Sequence, residues 1–204
     1  MNVNQKELKD ALKKCMVSMD AERYPILASV LFEVSKDVLT IVSTNRMILT
    51  KVELDVESGK DFTFLMSKDE IELVYKCLGT NNKIIPVIMN GGDLTFRCTF
   101  NSSLTIKPME DVENYPDWRK LWPESTIERD VFELDAKEAL NQLKYEKSGY
   151  HINFRKLGID RDCEVIKGDL EKILRTLRSG IIRVSFLKGR GSLILGNLFL
   201  MVTK

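Results

Sequence analysis

Apolar residues recur at helical spacing where the chain begins. Leu8, Ala11, Leu12, Cys15 and Met19 predict an amphipathic helix over 4–19. Lys6, Lys9 and Lys13 gather within about 60° of one another on its opposite side. Alternation then takes over. Leu27–Val34 and Val38–Thr44 predict paired strands turning at Asp37, Met47–Val56 a third strand and Phe62–Leu65 a fourth. Ser67 with Glu70 three residues on forms a capping box. The helix it opens runs through Ile71, Val74, Tyr75 and Leu78, with Gly79 as its stop. Strands follow at Ile84–Met89, Leu94–Phe100 and Ser103–Pro108, the first two joined by the hairpin turn Asn90-Gly91-Gly92-Asp93.

The pattern then breaks at Asn114-Tyr-Pro-Asp-Trp-Arg-Lys-Leu-Trp-Pro123, which holds both tryptophans and two of the five prolines. Proline fixes its own φ and pushes the preceding residue out of the helical region, so this stretch reads as an extended connector pinned by aromatics. Beyond it the order restarts. Val131–Leu134 is a strand and 135–147 a helix, while Tyr150–Leu157 and Cys163–Ile166 are strand-like. Asp169–Arg178 is a helix ended by Gly180, and Ile181–Leu187, Ser192–Leu195 and Leu198–Thr203 are closing strands. Lys9-Asp-Ala-Leu12 matches Lys137-Glu-Ala-Leu140 at an offset of 128, and Ile71–Leu78 matches Leu170–Leu177 at an offset of 99. Helix, strands, helix, strands therefore occurs twice, and the second copy is 29 residues shorter between its helices. That is room for roughly two to three strands. The prediction is an α+β chain of two domains, each with two helices packed on antiparallel sheet, the second truncated: residues 1–113, a connector over 114–124, and residues 125–204.

Composition narrows the function only by exclusion. Across 204 residues, 31 basic and 30 acidic groups leave a net charge of +1, so charge arrangement rather than bulk charge must argue for a nucleic-acid partner. No apolar run approaches the roughly 20 residues of a membrane span, and the start lacks an apolar signal core. Cys15, Cys77, Cys98 and Cys163 are far apart in sequence and form no CxxC pair, which reads as reduced, buried thiols in a cytoplasm rather than disulfides or a zinc site. His151 is the only histidine, and no nucleophile or base sits in a GxSxG, HExxH or P-loop spacing. Gly189-Arg-Gly191 and Gly91-Gly92 open no helix and read as turns, and the acidic run Glu110–Glu113 reads as a solvated loop. Neither an enzyme nor a cofactor or metal is expected.

Three stretches resemble one family, the beta sliding clamp of bacterial replicative DNA polymerases. Arg23-Tyr-Pro-Ile-Leu-Ala-Ser-Val-Leu-Phe-Glu-Val34 with Leu39–Thr44 is the first. The connector Tyr115–Pro123 resembles the segment joining the family's middle and last domains, and Ile166–Phe186 resembles a helix and strand of its last domain. Two of the family's three domains are thus expected, the middle and the last. The resemblance implies head-to-tail rings around duplex DNA, with helices lining the hole and sheets outside. It implies sequence-independent phosphate contact, and a partner polymerase or clamp loader tethered near the primer end. If a ring needs six domain equivalents, two per chain implies a homo-oligomer of three, though the shortened second copy leaves a dimer or monomer open. The DNA-facing candidates are Lys6, Lys9, Lys13, Lys76, Lys137, Lys144, Lys172, Arg175 and Arg178. Ordinary solvated helix faces would give much the same pattern. Carried over by position, the partner-peptide pocket would comprise Thr44, Leu49, Pro123, Met201, Val202 and Thr203. The family's motif before Leu49 is largely replaced here by Asn45-Arg-Met-Ile48, and its C-terminal motif by Met201-Val-Thr-Lys204. Those departures favour an alternative, a degenerate relative that binds proteins without encircling DNA. Tyr115, Trp118 and Trp122 are either a partner patch or the aromatics that bury the connector.

Overall fold

The structure, a computed structural model, describes residues 1–19, 24–98, 102–109, 111–123, 126–146, 149–177, 180–196 and 198–203. Arg23, Phe100, Glu110, Lys147, Arg178 and Lys204, which enter the sequence reading, lie outside the described residues. The chain divides into two compact units: Met1–Asn45 with Thr50–Pro116, and Arg46–Leu49 with Asp117–Lys204. The break after Pro116 falls inside the proline-pinned stretch.

In the first unit, β1 (Asn2–Asn4) leads into α1 (Gln5–Cys15), whose first turn is capped by the Asn4 side chain accepting from the Lys6 and Glu7 amides. Four strands follow: β2 (Ser29–Ser35), β3 (Val38–Thr44), β4 (Ile48–Glu57) and β5 (Phe62–Ser67). Then come α2 (Lys68–Cys77), β6 (Ile84–Asn90), β7 (Asp93–Phe96) and β8 (Leu104–Ile106). The strands pair in the order β8-β7-β6-β1-β4-β3-β2-β5. Both helices bury one apolar stripe on this sheet and pack against each other, with Leu8, Leu12, Ile71 and Val74 essentially inaccessible. Phe32 and Phe64 stack at 4.7 Å across the β2–β5 pair. The capping box at Ser67 and Glu70 forms with both hydrogen bonds present. Gly91 and Gly92 take φ of 60° and 93° in the β6–β7 hairpin, as an Asn-Gly-Gly-Asp turn requires.

Gly79 departs from its expected role. It is not in the left-handed region, and Leu78 caps α2 from an extended conformation. A Cβ there would overlap the side-chain amide of Gln5, which would have to shift.

The second unit contains β9 (Arg129–Asp135), α3 (Ala136–Tyr145), β10 (His151–Asn153), β11 (Glu164–Ile166), α4 (Lys167–Leu177), β12 (Ile181–Leu187), β13 (Ser192–Leu195) and β14 (Phe199–Val202). β9, β12, β13 and β14 form one antiparallel sheet, β10 and β11 a separate pair. Helices α3 and α4 pack together over a core in which Phe186 meets Phe132 and Phe154 edge to face at 5.6 and 5.3 Å. Tyr150–Leu157 is not a single strand. It gives β10 and then a 3-10 turn, Phe154–Leu157, closed by Gly158 at φ 79° and capped by Asn153 accepting from the Arg155 amide. The connector likewise is not extended throughout, because 3-10 turns form at Val112–Asn114 and Trp118–Lys120.

The two units share one plan. The strand before the first helix pairs with the strand after the second, β1 with β6 and β9 with β12, and a meander follows in each. The strand after the first helix pairs with the strand before the second, β2 with β5 and β10 with β11. Ser29 faces Ser67 in one unit, and His151 faces Ile166 in the other. The β3–β4 hairpin has no counterpart in the second unit among the described residues. The shortening therefore removes two strands, at the low end of the expected range.

Candidate nucleic-acid interface

The outer faces of the helices carry the candidate cations, and the helices differ in charge. α1 holds four lysines against Glu7 and Asp10, a net +2; α3 and α4 each reach +1; α2, with Lys68 and Lys76 against Asp69, Glu70 and Glu72, is −1. The helix pair of the first unit thus presents most of its positive charge from α1.

On α1, Lys6 is exposed and Lys13 half-buried, and neither makes an ion pair among the described residues. Lys14, missed because it lies off the Lys6–Lys13 stripe, is also half-buried and on the last turn. Lys9 is committed elsewhere: its ammonium donates to the Leu78 carbonyl at 2.5 Å and sits 4.9 Å above the Tyr75 ring. Leu78 is the C-cap of α2, so Lys9 places a cation on that helix's negative end. The second unit repeats the device with Lys167, at the start of α4, donating to the carbonyl of Glu146, the C-cap of α3, at 2.6 Å. Composition gives no sign of such contacts, because they depend on how the two helices of a pair cross.

Lys137 and Lys144 on α3 are exposed and make no ion pair among the described residues. Lys76 lies 3.8 Å from Glu72, and Lys172 lies 3.6 Å from Asp169. The Arg175 guanidinium donates to Glu171, its Nε at 3.2 Å. The Lys76 and Arg175 pairs are exposed and worth at most about 1 kcal/mol each, so they weaken rather than forbid phosphate contact, whereas the Asp169 beside Lys172 is buried. Arg178 lies outside the described residues.

Of the six peptide-pocket candidates, Thr44 belongs to the first unit, while Leu49, Pro123, Met201, Val202 and Thr203 fall in the second. There the Met47 carbonyl accepts from the Val202 amide at 3.0 Å, which brings the turn before Leu49 beside the last strand. Leu49, Pro123 and Met201 are buried, whereas Val202 is 45% exposed. Among the aromatics, Tyr115 is buried in the first unit with its hydroxyl donating to the Val42 carbonyl at 3.1 Å. Trp118 is buried in the second, with the Arg119 guanidinium 4.6 Å from its ring centroid. Both anchor the connector. His151 lies half-buried on β10 with its ring edge to Tyr150.

The groups that burial shifts are thiols and a phenol. Burial pushes Cys15 and Cys98 up to about 12 and raises Cys163, and it raises Tyr115 with Cys15 adding to the effect. No described helix is long and apolar enough to cross a membrane.

Comparison with known proteins gives three findings. The family model of the DNA polymerase III beta subunit, N-terminal domain, matches residues 1–119. The first copy is therefore matched by the family's N-terminal domain rather than by the middle domain its connector suggested. The chain has no match among curated proteins. Its fold is that of solved sliding clamps. The Bacillus subtilis DNA polymerase sliding clamp matches at 15% identity with a TM-score of 0.78, covering 100% of this chain and 63% of that one. The DNA polymerase III beta chain of Streptococcus pneumoniae matches at 17% identity and TM-score 0.80, covering 100% and 64%. The beta subunit of Borrelia burgdorferi, solved with a natural product, matches at 13% and 0.80, covering 100% and 63%. The chain spans less than two thirds of the clamp chains it matches.

Proposed function

The chain belongs to the DNA polymerase III beta subunit family, and from that premise we propose that it is a sliding-clamp-type processivity factor. In this reading it is non-enzymatic and cytoplasmic. It self-associates around duplex DNA, contacts phosphates without regard to base sequence, and tethers a polymerase or a clamp-loader-type protein. The observation that supports the reading is the pair of two-helix layers, each backed by antiparallel sheet, whose cations Lys6, Lys13, Lys137 and Lys144 are unpaired among the described residues. Phosphate contacts of this kind can be remade anywhere along a duplex, which is what sliding demands. Within the second unit, Leu49, Pro123, Met201, Val202 and Thr203 are proposed to take the partner's peptide, with exposed Val202 at the point of entry.

A second reading, a protein-interaction module that does not encircle DNA, draws on the lack of a β3–β4 counterpart in the second unit among the described residues and on the carboxylates beside Lys76, Lys172 and Arg175. Duplex binding measured over a range of salt, with unrelated sequences, tests the first reading. Equal affinity across sequences with a steep salt slope supports it. Absence of duplex binding at low salt leaves the second.

A further inference from the structure

We propose that Cys77 and Cys98 are an oxidisable dithiol, a modification site at which a peroxide closes a disulfide between the end of α2 and the chain just beyond β7. The two lie 21 residues apart in sequence, yet their sulfurs approach to 2.7 Å. Cys77 is the last residue of α2 and half-buried, so small oxidants reach it; Cys98 is 2% exposed, two residues past the end of β7. A buried amide holds the two backbones in place. Oriented to satisfy its partners, the Gln5 side chain donates to the Cys98 carbonyl and accepts from the Gly79 amide, both at 2.9 Å. That bracket is what the glycine at 79 makes room for. Cys15 and Cys163 are buried and have no sulfur partner among the described residues.

The chemistry balances with hydrogen peroxide as oxidant. The Cys77 sulfur attacks one peroxide oxygen, the O–O bond breaks, and water departs once the thiol proton is counted, leaving a sulfenic acid. Burial keeps Cys98 protonated at neutral pH, pushing its thiol up to about 12. Its sulfur then attacks Cys77, its proton leaves with the displaced hydroxyl as a second water, and the S–S bond forms. Two thiols and one peroxide yield one disulfide and two waters, and the two sulfurs supply the two electrons. In a reducing compartment the bond would be transient, reopened by a thiol through exchange.

The test uses the full chain treated with hydrogen peroxide, quenched by alkylation, and read by intact mass and peptide mapping. The expected result is a loss of about 2 Da, a linked Cys77–Cys98 peptide, and reversal by dithiothreitol. Linkage should proceed at least about ten-fold faster than any oxidation of Cys15 or Cys163. Cys77→Ser should abolish the linked peptide and leave Cys98 reduced, whereas Cys98→Ser should leave Cys77 to oxidise beyond the sulfenic stage. If a variant fails to fold, the unmodified chain's peptide map decides by itself. A map showing sulfinic Cys77 without linkage, or links to Cys15 or Cys163 at comparable yield, overturns the proposal.

Discussion

Tyr115 closes the first unit by one hydrogen bond, its hydroxyl donating to the Val42 carbonyl from a buried position. Tyr115→Phe should therefore remove a buried hydrogen bond and cost about 1 kcal/mol, seen as a lowered urea midpoint. An unchanged midpoint would place that carbonyl in contact with water. The same interior holds Cys15, pushed up to about 12 by burial, and Cys98, beside the end of α2, is pushed up as far by burial and by the neighbouring Cys77. These thiols stay protonated in the folded chain where the unfolded chain has already released its protons. Their contribution is complete below pH 9.0 and drains away as the pH rises toward about 12. Stability falls through that window because the unfolded chain binds fewer protons than the folded one. Urea midpoints followed through this range should fall, and Cys15→Ala should make the fall shallower. A flat profile would mean the thiols are hydrated.

The helices divide their lysines between two tasks. Lys9 serves α2, through the Leu78 carbonyl, while Lys6 and Lys13 remain available to a phosphate. Neutralising Lys6 and Lys13 together should reduce the salt slope of duplex binding by about 2, at about 0.9 per phosphate contact. Lys9→Gln should instead lower thermal stability and change the slope little. The reverse outcome would move the interface away from α1. Helical periodicity made the α1 stripe and the 67–78 capping box legible in sequence, since both are local. The Lys9–Leu78 and Lys167–Glu146 contacts were not legible, because each joins residues brought together only by helix packing. The same holds for Cys77 and Cys98, which looked unrelated at a spacing of 21. Tyr150–Leu157 misled for a different reason: its apolar residues alternate like a strand, but Asn153 and Gly158 bend the second half into a 3-10 turn.

The repeat in the sequence corresponds to two units with the same strand pairing, and the length difference to one hairpin without a counterpart among the described residues of the second unit. In the first unit β4 lies between β1 and β3, so the hairpin is what joins β1–β6–β7–β8 to β2–β5. In the second, β9–β12–β13–β14 and β10–β11 remain separate sheets for want of it. A chain built this way offers two unequal domain equivalents, and if a ring takes six, three such chains would supply them. Sedimentation should then give three times the 23.4 kDa chain mass. A species at the chain mass at all concentrations would mean the lost hairpin removed the surface needed for closure.

Encirclement itself is tested most directly by topology. The protein is loaded onto nicked circular duplex, and its retention is compared before and after the circle is linearised by a single cut. A clamp is retained on the circle and lost from the free ends of the linear form, at the same salt and with no change in base sequence. Equal retention on both forms, or equal loss from both, would contradict encirclement and leave a family member that meets its partners without enclosing DNA.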